Sequence, residues 1–170
     1  MYMNEESLCD EKIQGLLLHE LKPVNSLTEE GCKLKMKITV ETHVKATPDK
    51  VWGAYTNPED IMQWNTASED WHTTRSTVDL RVGGAFSSRM EAKDGSFGFD
   101  FAGSYTRIVP QELLEFSFGE RMAVVEFLPS AQQQTVRVTF DAETENSIDQ
   151  QRFGWQAILN NFARYVETKR

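Results

Sequence analysis

Residues 147–166 read SIDQQRFGWQAILNNFARYV, and the placing of apolar side chains in this stretch decides the fold. Ser147, followed three residues later by Gln150, has the pattern of a capping box, in which two side chains satisfy N–H groups at a helix start reciprocally. Trp155, Ile158, Leu159, Phe162, Ala163 and Val166 then form one apolar stripe at helical spacing, running over about three turns. Gly154 weakens such a helix by roughly 1 kcal/mol relative to alanine, so close approach to a sheet or to other helices is the expected compensation. A long one-sided helix has to bury its stripe against another layer.

That layer is legible upstream. Ile38, Val40, Thr42 and Val44 alternate with Thr39, Glu41, His43 and Lys45, the period of a strand with one buried face. His43 falls on its polar side. Thr47-Pro48 and Asn57-Pro58 each read as an N-cap followed by a first helical residue, so two short helices are expected, carrying Val51, Trp52, Tyr55, Ile61, Met62 and Trp64. From Trp71 to Ala142 the text is strand after strand. Phe86, Ser88 and Met90 share one face. Phe97, Phe99, Phe101, Gly103 and Tyr105 share another, and Leu114, Phe116 and Phe118, then Val125 and Phe127, then Val136, Val138 and Phe140 follow. Gly83-Gly84, Asp94-Gly95 and Gly119-Glu120 read as hairpin turns, and Pro110 as a break. Short connections imply antiparallel neighbours. The expected fold is therefore α+β: a curved antiparallel sheet of about seven strands wrapped around the C-terminal helix, with two short helices after the first strand.

Residues 1–35 differ in character and read as an N-terminal extension, helical or disordered, ahead of a domain spanning 36–170. Ser7 and Asp10 resemble a helix start, Ile13, Leu16, Leu17 and Leu21 share one face, Pro23 stops the helix, and a polar linker runs to Lys35. This segment reads as a docking helix or lid, as a loose tail, or as the product of a start upstream of Met36. It is also the one candidate surface for a homodimer or another protein partner.

Composition excludes several classes. Lys and Arg number 18 against 26 Asp and Glu, a net charge of -8, and no basic stripe offsets it, so a nucleic-acid partner is not expected. No apolar run is long enough to span a membrane, and no signal peptide is legible. Cys9 and Cys32 are too few for a disulfide framework and suggest reduced thiols in a cytoplasm. His19, His43 and His72 are scattered without metal-ligand spacing, and no cofactor or metal is expected.

Function then rests on architecture. A strongly bent sheet stands away from a straight helix over part of its length, and the gap must be filled by large side chains or by a ligand. Phe86, Met90, Phe99, Phe101 and Phe116 from the strands, Trp155 and Leu159 from the helix, and Trp64 and Trp71 near the open end are the candidate walls of an apolar pocket; any one of them alone reads more readily as core, while the group as a whole reads as lining some cavity. His72 is placed either to orient a ligand hydroxyl or carbonyl or as an ordinary exposed strand-end residue.

Three stretches resemble a known family: Asp79-Leu80-Arg81-Val82-Gly83-Gly84 before Phe86; Phe101-Ala102-Gly103-Ser104-Tyr105 through Ile108 to Pro110; and Gly154-Trp155-Gln156 through Ile158-Leu159, Asn161-Phe162 and Tyr165. Over Met36 to Arg170 the chain resembles the SRPBCC superfamily (START-like, Bet v 1-like), with the helix-grip fold. Within it, the chain is similar to small bacterial proteins related to the C-terminal domain of the activator of the 90-kDa heat-shock protein ATPase. The resemblance implies a hydrophobic cavity between sheet and helix and three roles: binding of a lipid- or polyketide-like molecule, polyketide cyclase or dehydratase chemistry, or partnership with the chaperone. The last uses an additional N-terminal domain, which thirty-five residues do not supply.

Binding of a small hydrophobic or aromatic molecule is the reading the residues favour, since it needs only an apolar pocket and a few polar groups. General acid–base chemistry needs a titratable group within reach of substrate, for which Asp70, His72 and Asp100 are the candidates. Alternation places Asp100 opposite Phe99 and Phe101, hence away from a pocket they line. No catalytic residue is assigned.

Overall fold

The alternation that opens at Met36 produces a half-buried strand, β1 (Lys37–Val44), with Ile38, Val40 and Val44 buried and Lys37, Thr39, Glu41 and His43 exposed. The computed structural model describes residues 35–131 and 133–169; the helix read over Ser7–Leu21, and both cysteines, lie outside the described residues. Met36–Arg170 form one structural unit.

Two helices follow, α1 (Pro48–Thr56) and α2 (Pro58–Trp64), each with proline in its first turn, where an N–H has no helical partner to lose. Thr47 and Pro48 take the N-cap and first helical positions expected of them, and the Thr47 side chain makes no capping bond there. Asn57 does cap α2, accepting from the Glu59 amide at 2.8 Å. The joint between the helices has a consequence. The α1 carbonyl of Ala54 is left without a helical donor, because the chain turns extended at Asn57 and residue 58 is a proline with no N–H. The indole Nε1–H of Trp64 donates to that carbonyl instead, at 2.9 Å.

Six strands complete the sheet: β2 (Trp71–Val78), β3 (Ala85–Ala92), β4 (Gly98–Val109), β5 (Leu113–Phe118), β6 (Arg121–Pro129) and β7 (Gln134–Asp141). The order is β1-β7-β6-β5-β4-β3-β2, antiparallel throughout. The sheet curls into a half-barrel with β1 and β2 as its edges. Gly119, at φ +60°, makes the tight β5–β6 turn expected of it. Gly83-Gly84 does not make a tight hairpin. The β2–β3 connection takes residues 79–84 and is laced to β4, with the Gly83 amide donating to the Tyr105 carbonyl at 2.7 Å and the Tyr105 amide to the Gly84 carbonyl at 2.9 Å. Gly84 is required by close approach: a Cβ there would lie 2.0 Å from the Asp79 carbonyl oxygen.

The last element is α3 (Ile148–Thr168), opened by the reciprocal Ser147–Gln150 capping box. Leu159, Phe162, Ala163 and Val166 are buried, while Trp155 and Ile158 are only partly so. Gly154 is not explained by close approach, since an added Cβ would meet nothing within 4 Å.

The core is lopsided, and this positions the site. Buried apolar side chains concentrate on β1, β7, β6 and β5, whereas β2, β3 and β4 add few beyond Met90 and Tyr105. Helix α3 packs along β1, and α2 packs on β2. Side chains of α3 also occupy the β1 edge: Gln156 Nε2 donates to the Glu41 carbonyl at 2.9 Å, and Glu167 Oε1 accepts from the Lys45 amide at 2.8 Å. Such cover blunts an exposed strand edge. With α3 fastened to one edge of the half-barrel, the sheet around β2–β5 stands away from it.

Candidate functional site

The space left between α3 and this part of the sheet is a cavity of about 560 Å³. Its sheet wall follows from period-two alternation. Phe86 and Met90 on β3, Phe99 and Phe101 on β4, and Leu114 and Phe116 on β5 all point inward. Gly103 lets this wall pack: Phe86 lies over the position its Cβ would take, 2.7 Å away, and Phe86 meets Phe116 edge-on with centroids 5.0 Å apart. The helix wall is Gly154, Trp155, Ile158 and Leu159, and because Gly154 has no side chain, part of the cavity lies where one would stand. Trp64 and Tyr55 come from the short helices. Trp71 comes from the start of β2, where it meets the exposed rings of Phe97 and Phe99 at 6.1 and 5.9 Å.

Nine of the ten residues singled out in the sequence therefore border one space: Trp64 and Trp71; Phe86, Met90, Phe99, Phe101 and Phe116; Trp155 and Leu159. His72 does not. It lies exposed on the outer face of β2, opposite Glu91 on β3, because alternation turns it away from its neighbour Trp71. Asp100 is likewise on the outer face, 3.5 Å from Arg89, and Asp70 is exposed ahead of β2 and does not line the cavity. The hydrogen bond from Arg89 to Glu91 holds that carboxyl below the ordinary range, so this charged cluster is a solvated outer-face network. Phe118, Phe127 and Phe162 belong to the core and do not line the space.

Asn65, Ser68, Thr77, Ser88, Asn146 and Gln150 also line the cavity; the remaining polar groups there are of three kinds. Gln151 is buried but satisfied, its amide donating to the Glu143 and Asn146 carbonyls and accepting from the Glu143 amide. Arg121 lies over the Phe118 ring, 4.5 Å from its centroid, and lowers the pKa of the nearby Glu143, whose carboxyl is held down chiefly by Asn146. The third kind is phenolic. Burial raises Tyr105 to about 12, and burial first and Tyr105 second raise Tyr55 still further. Both tyrosines were legible as inward-facing residues of their elements. Nothing in the sequence marked their hydroxyls as facing open space. Among the described residues no group of three or more His, Cys, Asp or Glu is placed to hold a metal ion, and no helix is long and apolar enough to cross a membrane.

A curled antiparallel sheet gripping a long C-terminal helix, with an aromatic-walled space between them, defines the helix-grip class of α+β proteins. Residues 45–167 match the family described as Activator of Hsp90 ATPase homolog 1-like protein, and the chain belongs to that family. Among solved structures it is similar to an AHSA1-like protein from Aeromonas hydrophila, at 49% identity, covering 78% of this chain and 92% of that one with a TM-score of 0.74. It is also similar to a protein from Cytophaga hutchinsonii, at 41% identity, 77% and 92% coverage and a TM-score of 0.68. A protein from Chromobacterium violaceum at 23% identity, covering 79% and 99% with a TM-score of 0.68, shares the fold. No functionally curated protein matches.

Proposed function

We propose that this protein is a binding module for a small, apolar, aromatic molecule held between the sheet and α3. The observation that carries the reading is the cavity itself: about 560 Å³, a volume typical of small-molecule pockets, walled by Phe86, Phe99, Phe101, Phe116, Trp64 and Trp155. Rings of this kind gain from burying a flat apolar guest and stack against it edge-on or offset. The acid–base candidates of the sequence, Asp70, His72 and Asp100, do not line this space, and the one carboxylate among the described lining residues, Glu143, is engaged by Asn146, which favours holding a guest over transforming one.

The test is a panel of flavonoid, polyketide and fatty-acid compounds added to the full chain, read by indole chemical shifts and tryptophan fluorescence. Saturable shifts at Trp64, Trp71 and Trp155, with Trp52 unmoved, are expected. A panel in which no apolar compound moves those three indoles overturns the reading.

A further inference from the structure

The hydroxyls of Tyr55 and Tyr105 are the unexplained feature of this cavity. Each is carried by a ring locked among other rings: Tyr55 against Trp64, Phe127 and Phe162, with centroids 5.2 to 5.3 Å apart, and Tyr105 against Phe86 at 5.2 Å and Phe116 at 6.5 Å. Tyr105 is only 7% exposed. Among the described residues every fully buried side-chain polar atom has a hydrogen-bond partner. The Tyr165 hydroxyl, for comparison, donates to Asp60. No described residue takes the hydroxyl of Tyr55 or Tyr105, so each hydroxyl must reach open space, and the open space both residues border is the cavity. A phenol kept in an aromatic pocket without a partner forgoes a hydrogen bond that a ligand can supply.

Resting on the binding reading above, we infer that Tyr55 and Tyr105 are the specificity-determining donors of this site, and that the guest is a neutral aromatic carbonyl compound whose oxygen accepts from them. Three observations select that chemistry. Both phenols stay protonated through the neutral range, because burial opposes their ionisation, so they present donors. A carboxylate or phosphate guest would need a cation beside these hydroxyls. Arg121 is the one Lys, Arg or His among the described lining residues; its guanidinium lies over the Phe118 ring, and it stands at the start of β6, six residues from the Phe127 against which Tyr55 packs, roughly 20 Å along the strand, so it is not beside the Tyr55 hydroxyl. The rings around the hydroxyls accept a flat apolar body but leave a charged head desolvated and unpaired. A hydrocarbon lacking the oxygen would fill the same walls and leave both donors unsatisfied.

The test compares benzophenone with diphenylmethane, a pair that differs by the carbonyl alone, on the full chain, by calorimetry and tryptophan fluorescence. The wild type is expected to prefer benzophenone by about tenfold, as two modest hydrogen bonds allow. Tyr55→Phe and Tyr105→Phe should each cut that preference about threefold, and the double variant should abolish it while leaving diphenylmethane affinity unchanged. Because neither hydroxyl has a partner among the described residues, both variants should melt at or above the wild-type temperature; a clear drop in both would mark the hydroxyls as structural and overturn the inference. Equal affinity of the wild type for the two probes, or a preference that survives the double substitution, overturns the inference and leaves the binding reading standing. Failure of either probe to bind the wild type, together with a silent wider panel, overturns both.

Discussion

The ring of Trp155 on α3 lies flat on that of Phe140 on β7, with centroids 4.2 Å apart and planes 15° from parallel. It is the one stacked pair among the described aromatic contacts, the others being tilted or edge-on. Phe140 is fully buried, while Trp155 is partly buried and borders the cavity. Trp155 thus marks the line where the sheet stops touching the helix, with core on one side and open space on the other.

Trp155→Ala should remove both the stack and one cavity wall. The expected loss of stability is about 3 kcal/mol by urea unfolding, with Trp155→Phe costing less than half of that. A loss under 1 kcal/mol would mean that the ring does not tie helix to sheet.

Gly154 separates stability from capacity. Nothing stands within 4 Å of its missing Cβ, and it faces the cavity. Gly154→Ala should therefore stabilise the protein by about 1 kcal/mol through helix propensity, read as a raised melting temperature. Gly154→Leu should fold as well but weaken binding of apolar probes, because its side chain grows into their space.

Trp64→Phe tests the link between the two short helices. It keeps a ring in the core but strips the Ala54 carbonyl of its donor, at a cost of about 1 to 3 kcal/mol beyond the packing loss. A total loss under about 1 kcal/mol by urea unfolding would show that the Nε1 bond contributes little.

Alkaline titration should be strongly coupled to unfolding. Tyr105 is raised from 10.0 to about 12 by burial, Tyr165 to about 12 by burial and by its bond to Asp60, and Tyr55 further still. Above pH 10.0 the unfolded chain releases phenolic protons that the folded chain retains, so stability is undiminished below that value and falls as pH rises towards about 12. Of the four tyrosines, these three should show little tyrosinate absorbance at pH 11 until the protein unfolds. Early ionisation of all three in the folded protein would contradict their burial.

Local pattern alone determined which residues face inward. Period-two alternation turned Phe99, Phe101 and Phe116 one way and Asp100 the other, the 3.6-residue stripe ran from Trp155 to Val166, and the capping box marked where α3 begins. These rules act between neighbours in the chain, so a sequence carries them in full. Tertiary structure decided what the inward face meets. The route of Gly83-Gly84 depended on β4, which supplies the carbonyl and amide of Tyr105 to that loop. Whether Gly154 met a neighbour, and whether the Tyr55 and Tyr105 hydroxyls found a partner, depended on how far α3, fastened at the β1 edge, stands from β2–β5. That separation is set by contacts between residues up to 122 positions apart, which no local periodicity encodes.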